Sequence, residues 1–219
     1  MITRFYNFNS QNLIIFLAGW GCDDKQFQNM IDNGSGYDIL MCWDYTNIDF
    51  EPKIDFEKYN DIYLITYSAG VYVAGLIKNK LPKITKSVAV NGSPLMFDKK
   101  FGLNQSSLEF MKNLDLSNYM EFRKDYLVSS EEELEFFNTN CSVRSFESCD
   151  DELKSLEENY VSNEAYNYDF AILSSNDKIF NPKSQKEYFD GKYILLEGFG
   201  HNVFYKYQKF DSILADFGL

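Results

Sequence analysis

Residues 61–80, DIYLITYSAGVYVAGLIKNK, restrict the fold more than any other stretch. The run from Ile62 to Ile65 is short, apolar and without polar alternation, which predicts a strand buried on both faces. Thr66, Tyr67, Ser68, Ala69 and Gly70 then make a turn, and Val71 to Ala74 continue as an apolar helical surface. A covered strand followed at once by a helix is a unit of parallel sheet.

The same alternation recurs along the chain. Residues 13–17, LIIFL, and 37–43, YDILMCW, predict further buried strands, with a short first strand in 3–8. Residues 84–91, 168–174 and 192–196 supply three more. Helical segments are expected at 23–31, with Asp23 or Asp24 as N-cap, and at 69–81, 183–189 and 203–217. This order predicts an α/β fold with a mainly parallel sheet and helices on both faces. Residues 95–165 contain no persuasive buried strand and read as a helical insertion, a cap or lid, within one domain spanning 1–219. The chain is long enough for one sizeable core, and 45% hydrophobic residues exclude a disordered chain.

Charge narrows the class of partner. Twenty-one basic residues against 33 acidic ones leave a net charge of −12, which repels nucleic acid and anionic membranes. No apolar run approaches the ~18 residues of a membrane span, and the first 20 residues lack a signal-peptide pattern, so a cytoplasmic protein is expected. Cys22, Cys42, Cys141 and Cys149 contain no C-x-x-C pair, and a single histidine is too few for a Cys/His zinc site, so reduced thiols and no metal are expected. Cys22 sits beside a glycine-rich turn and is a candidate for solvent exposure.

Three loops carry chemistry. The turn at Ser68 has the layout of a nucleophile elbow, in which a serine hydroxyl is lifted above the sheet at a helix N-terminus. A plain strand-to-helix turn is the other reading. His201, the sole histidine, follows the last predicted strand in a glycine-flanked loop and is suited to passing protons at neutral pH. Asp177 follows the strand before it, and Asp98, after the Asn91–Pro94 turn, is a second candidate acid. A helix N-cap or turn aspartate is the other reading of Asp177. In a parallel sheet the loops of Ser68, Asp177 and His201 share one edge, where open α/β folds bind ligands. Their chain order, Ser, acid, His, is that of the α/β-hydrolases. Ala18, Gly19, Trp20 and Gly21, directly after a buried strand, are either a plain glycine-rich strand-to-helix connection or a turn whose backbone N–H groups serve an oxyanion hole, with Trp20 and Ala69 as donors.

These stretches together, FLAGWGCDDKQF at 16–27, LITYSAGVYVAG at 64–75, AVNGSPLMFDKK at 89–100 and GFGHNVF at 198–204, resemble the α/β-hydrolases. More narrowly, they resemble the BioG family of pimeloyl-[acyl-carrier protein] methyl ester esterases. The resemblance implies a serine carboxylesterase that removes the methyl ester from pimeloyl-carrier protein for biotin synthesis. It implies Ser68 as nucleophile, Asp177 as acid, His201 as base, and Trp20 with Ala69 as oxyanion donors. It also implies a sheet with fewer N-terminal strands, no cofactor, and an acyl-carrier protein as partner. A thioesterase or small-ester hydrolase, or a silent scaffold that only binds, shares these features. Thr66 stands where many hydrolases carry glycine and is expected to crowd the elbow. An acidic carrier requires a local basic patch, with Arg123, Lys124, Arg144 or their neighbours as candidates.

Overall fold

The computed structural model describes residues 1–161 and 164–219; residues 162 and 163, inside the expected insertion, lie outside the described residues. Seven strands form one sheet: β1 (Ile2–Tyr6), β2 (Asn12–Leu17), β3 (Asp38–Trp43), β4 (Asp61–Tyr67), β5 (Lys86–Val90), β6 (Phe170–Ser174) and β7 (Tyr193–Leu196). Their spatial order is β1-β3-β2-β4-β5-β6-β7. Only β1 runs antiparallel, against β3; every other pair is parallel. This is the α/β architecture expected from the alternating runs.

Alternation within each strand divides the core in two. Leu13, Ile15 and Leu17 face the layer that holds Val71, Tyr72 and Leu153. Ile14 and Phe16 face the layer of Phe27, Phe204 and Phe210. Because both faces are covered, the central strands tolerate almost no polar residue, and this is why they read as unbroken apolar runs.

Helices α1 (Gln28–Asp32) and α8 (Phe210–Ala215) contribute to the second layer, and α2 (Ala69–Leu76) to the first. Asp23 accepts from the Gln26 N–H at the start of a short 3-10 turn before α1, as its N-cap position requires. The region between β5 and β6 holds α3 (Gln105–Lys112), α4 (Tyr119–Phe122), one π-helical turn (Arg123–Leu127), α5 (Glu131–Thr139) and α6 (Phe146–Glu158). Helix α7 (Pro182–Phe189) joins β6 to β7, with Pro182 in its first turn. Among the described residues no helix is long and apolar enough to cross a membrane.

Two expectations are corrected. The C-terminal helix does not fill 203–217; it spans only Phe210–Ala215, and turns precede it. Val203, Phe204 and Tyr207 are buried there in turns and join the second core layer, where the Phe204 ring packs edge-on against Phe16, Phe27 and Tyr67. Cys22 is buried, with 5% exposure, and not solvent-accessible. All four cysteines are free thiols; burial pushes the Cys22 and Cys42 thiols well up and Cys149 to about 11.

Candidate active site

Ser68 ends the run of β4 with φ 54° and ψ −119°, a conformation that costs an L-residue on the order of 1–3 kcal/mol. Close packing on all sides holds it there. A Cβ on Gly70 would stand 2.3 Å from the Leu17 carbonyl oxygen, and one on Gly92 2.4 Å from the Ser68 carbonyl oxygen. The Ser68 N–H donates to Val90 O at 3.0 Å, so β5 also anchors the turn. The geometry is that of the nucleophile elbow, with Ser68 half-buried at the N-terminus of α2.

Thr66 does not crowd this turn. Its side chain is fully buried and donates from Oγ1 to the Tyr168 hydroxyl at 2.9 Å. Tyr168 in turn donates to Val71 O at 3.0 Å, tying β4 to the first turn of α2. A hydroxyl therefore takes the place of glycine by finding a partner 102 residues away.

His201 is 3% exposed and Asp177 7%. His201 Nδ1 lies 2.9 Å from Asp177 Oδ2, and Nε2 lies 2.9 Å from Ser68 Oγ. The other Asp177 oxygen accepts from the Ile179 N–H at 2.8 Å and the Phe180 N–H at 3.1 Å. A carboxylate only accepts, so this contact holds the proton on Nδ1 and leaves Nε2 free to receive one from Ser68. Tyr67 and Phe180 lie on the imidazole, at centroid distances of 5.2 and 6.0 Å. Asn91 donates to His201 O at 2.7 Å and Ser174 Oγ at 2.8 Å, linking the histidine loop to the end of β6.

Asp98, the other candidate acid, has separate partners. It accepts from the Phe101 and Lys100 N–H groups, which hold its carboxyl below the usual range. Asp169 is bonded to Ser87 and Lys86 at the opposite end of β5.

Trp20 and Ala69 flank the serine. A Cβ on Gly19 would come within 3.0 Å of Ser68 Cβ, which measures how closely the glycine-rich turn abuts the elbow. Among the described residues neither the Trp20 nor the Ala69 backbone N–H has an acceptor. Two unengaged donors beside a serine hydroxyl are suited to receiving a developing negative charge. The site opens into a largely apolar pocket lined by Trp20, Met111, Leu114, Phe122, Phe137 and Ile179 among others. Most of this wall comes from residues between β5 and β6. Among the described residues no group of three or more His, Cys, Asp or Glu side chains is disposed to hold a metal ion.

Beside the site lies Glu152, which sequence patterns did not single out. Glu152, on α6, is wholly buried and accepts from the Gly21 N–H and the Tyr45 N–H, each at 2.9 Å. Burial pushes its carboxyl up, against the pull of Arg144 and these two donors. Arg144 approaches Glu152 at 2.6 Å and Asp44 at 3.2 Å, with its side chain only 7% exposed. Arg123 is also buried, bonded to Asn138 and stacked on Tyr119. As members of an exposed basic patch Arg123 and Arg144 are therefore corrected: of the three named cations, only Lys124 is exposed.

The family model described as "Pimeloyl-ACP methyl esterase BioG" matches residues 1–213. The chain is 27% identical over 179 residues to malonyl-[acyl-carrier protein] O-methyltransferase of Bacteroides fragilis, covering 80% of this chain and 36% of that protein. It thus spans about a third of that relative's length. The crystal structure of BioG from Haemophilus influenzae superposes with a TM-score of 0.80 at 25% identity, covering 97% of this chain and 99% of that one. An esterase from Exiguobacterium antarcticum shares the fold, with a TM-score of 0.72 at 12% identity over 98% and 94% of the two chains.

Proposed function

The chain belongs to the BioG family of pimeloyl-ACP methyl esterases, and from that premise we propose that it hydrolyses the methyl ester of a pimeloyl chain borne on acyl-carrier protein in the cytoplasm, with Ser68 as nucleophile. His201 Nε2 takes the Ser68 proton as Oγ bonds to the ester carbon. The carbonyl oxygen becomes an oxyanion held by the Trp20 and Ala69 N–H groups. Asp177 keeps the imidazole oriented and stabilises the imidazolium. The C–O bond to the methoxy group then breaks, and His201 returns the proton to give methanol. Water, deprotonated by the same nitrogen, attacks the acyl-enzyme; Ser68 regains its proton and the pimeloyl carboxylate leaves.

The observation that carries this reading is the pair of 2.9 Å contacts joining Ser68, His201 and Asp177 from three separate loops. The apolar pocket suits a methylene chain, whose burial is favourable by about 0.8 kcal/mol per CH₂. The test is methanol release from methyl pimeloyl-carrier protein by the wild-type enzyme and by Ser68→Ala. Loss of at least 10³-fold in the variant is expected; release at the wild-type rate would remove the proposal.

A second reading keeps the three residues and takes free small esters or acyl thioesters. It is favoured by the inward placement of Arg123 and Arg144, two of the three cations named for meeting an acidic carrier. Comparing kcat/KM for carrier-linked and free methyl esters separates the two. Equal or better turnover of the free ester favours the second.

A further inference from the structure

The 18–23 turn is gripped from outside at each of its parts. The Ala18 carbonyl accepts from the Tyr45 hydroxyl at 2.7 Å. The Trp20 indole N–H donates to Cys149 O at 2.6 Å. The Gly21 N–H donates to Glu152 Oε2 at 2.9 Å. Asp23 Oδ2 accepts from the Val143 N–H at 2.8 Å. Three of these four partners come from residues 143–152, at the start of α6 and just before it.

Glu152 is the centre of the arrangement. Oε2 takes both the Gly21 N–H and Arg144, while Oε1 takes the Tyr45 N–H at 2.9 Å. Arg144 is held in turn by Asp44, by Ser148 O at 3.1 Å and by Ser148 Oγ at 2.8 Å. A buried ion pair is a poor source of stability, since an apolar pair of equal volume does as well or better. Its value lies in direction: a carboxylate with both oxygens engaged fixes the peptides that donate to it. One of those is the peptide joining Trp20 to Gly21, where Gly21 has φ +69°.

We propose that Glu152, braced by Arg144, is a positioning pair for ester hydrolysis: from the helical insertion it sets the Trp20 backbone so that its N–H points at the oxyanion. The proposal rests on the reading of Trp20 as an oxyanion donor. The insertion then acts as a fixed brace of the reaction centre as well as a wall of the acyl pocket. Glu152 touches no substrate; its effect passes through Trp20 and Gly21.

The test uses Glu152→Gln in the full chain. A glutamine keeps the volume but offers one acceptor where three donors converge, and its NH₂ faces one of them. With a p-nitrophenyl short-chain ester and protein titrated by a fluorophosphonate, kcat per reactive serine falls about 10- to 100-fold while KM stays within about twofold. Affinity for an alkyl trifluoromethyl ketone, whose adduct carries an oxyanion, weakens by the same factor as kcat/KM. Arg144→Lys gives a smaller loss of the same kind and carries the test if Glu152→Gln does not fold. Asp169→Asn, remote from the site, lowers stability and leaves kcat unchanged. Glu152→Gln with kcat within twofold of wild type, or with unchanged ketone affinity, overturns the positioning role. Ser68→Ala with full activity would instead overturn the underlying reading, so the two failures are distinct.

Discussion

Replacing Asp177 by asparagine should disable the site through the histidine tautomer, with little loss of fold. The asparagine has two orientations. In one, its oxygen keeps the two bonds from Ile179 and Phe180, at 2.8 and 3.1 Å, and its NH₂ faces His201 Nδ1. In the other, the NH₂ meets those two N–H groups and strands both donors, at a cost of about 1–3 kcal/mol each. The first orientation therefore wins. An NH₂ beside Nδ1 forces that nitrogen to accept, so the proton moves to Nε2, 2.9 Å from Ser68 Oγ. The imidazole then faces the serine with a donor and cannot take its proton. A loss of about 10³- to 10⁴-fold in kcat/KM follows, equivalent to about 4–5.5 kcal/mol of transition-state stabilisation. Because His201 is the only histidine, its ring nitrogens are the only imidazole signals in a ¹⁵N long-range spectrum, so the tautomer is read without assignment. Wild type should carry the proton on Nδ1 and the variant on Nε2, at similar Tm. Activity above a tenth of wild type, or an unchanged tautomer, would refute the reasoning.

Further outcomes follow from the packing. Gly70→Ala places a methyl group 2.3 Å from the Leu17 carbonyl oxygen, and backbone cannot yield there, so denaturant titration should show about 3–5 kcal/mol of destabilisation. Tyr168→Phe leaves the buried Thr66 hydroxyl without its 2.9 Å partner and should cost about 1–2 kcal/mol, a fall in Tm of roughly 2–8 °C by calorimetry. Burial alone would raise the Asp169 carboxyl, but bonds from Lys86 and Ser87 outweigh it and hold it below the ordinary value. A depressed folded-state value means its stabilisation is complete above the unfolded value of about 3.9 and is lost as pH falls through the folded one. Asp169→Asn should therefore destabilise at pH 7, and the gap from wild type should close in acid unfolding curves below about pH 3.

The strands, the elbow and the chain order of Ser68, Asp177 and His201 were legible because they depend on local chemistry. A strand buried on both faces must be apolar throughout, as residues 13–17 and 62–65 are, and a turn closing against a neighbouring strand requires glycine at Gly70 and Gly92. Local pattern leaves both Asp177 and Asp98 as candidate acids, since both follow strands; the contact of His201 with Asp177 belongs to the tertiary structure alone. It also read residues 203–209 as helix, because apolar spacing alone does not say whether burial comes through helical or irregular backbone. Arg123 and Arg144 look like surface cations in sequence, where most arginines are. Their burial depends on Tyr119, Asn138, Asp44 and Glu152, and Glu152 matters because it meets a peptide 131 residues earlier. Periodicity carries what each residue asks of its immediate neighbours; which distant group answers a buried charge is set only when the helices between β5 and β6 pack against the sheet.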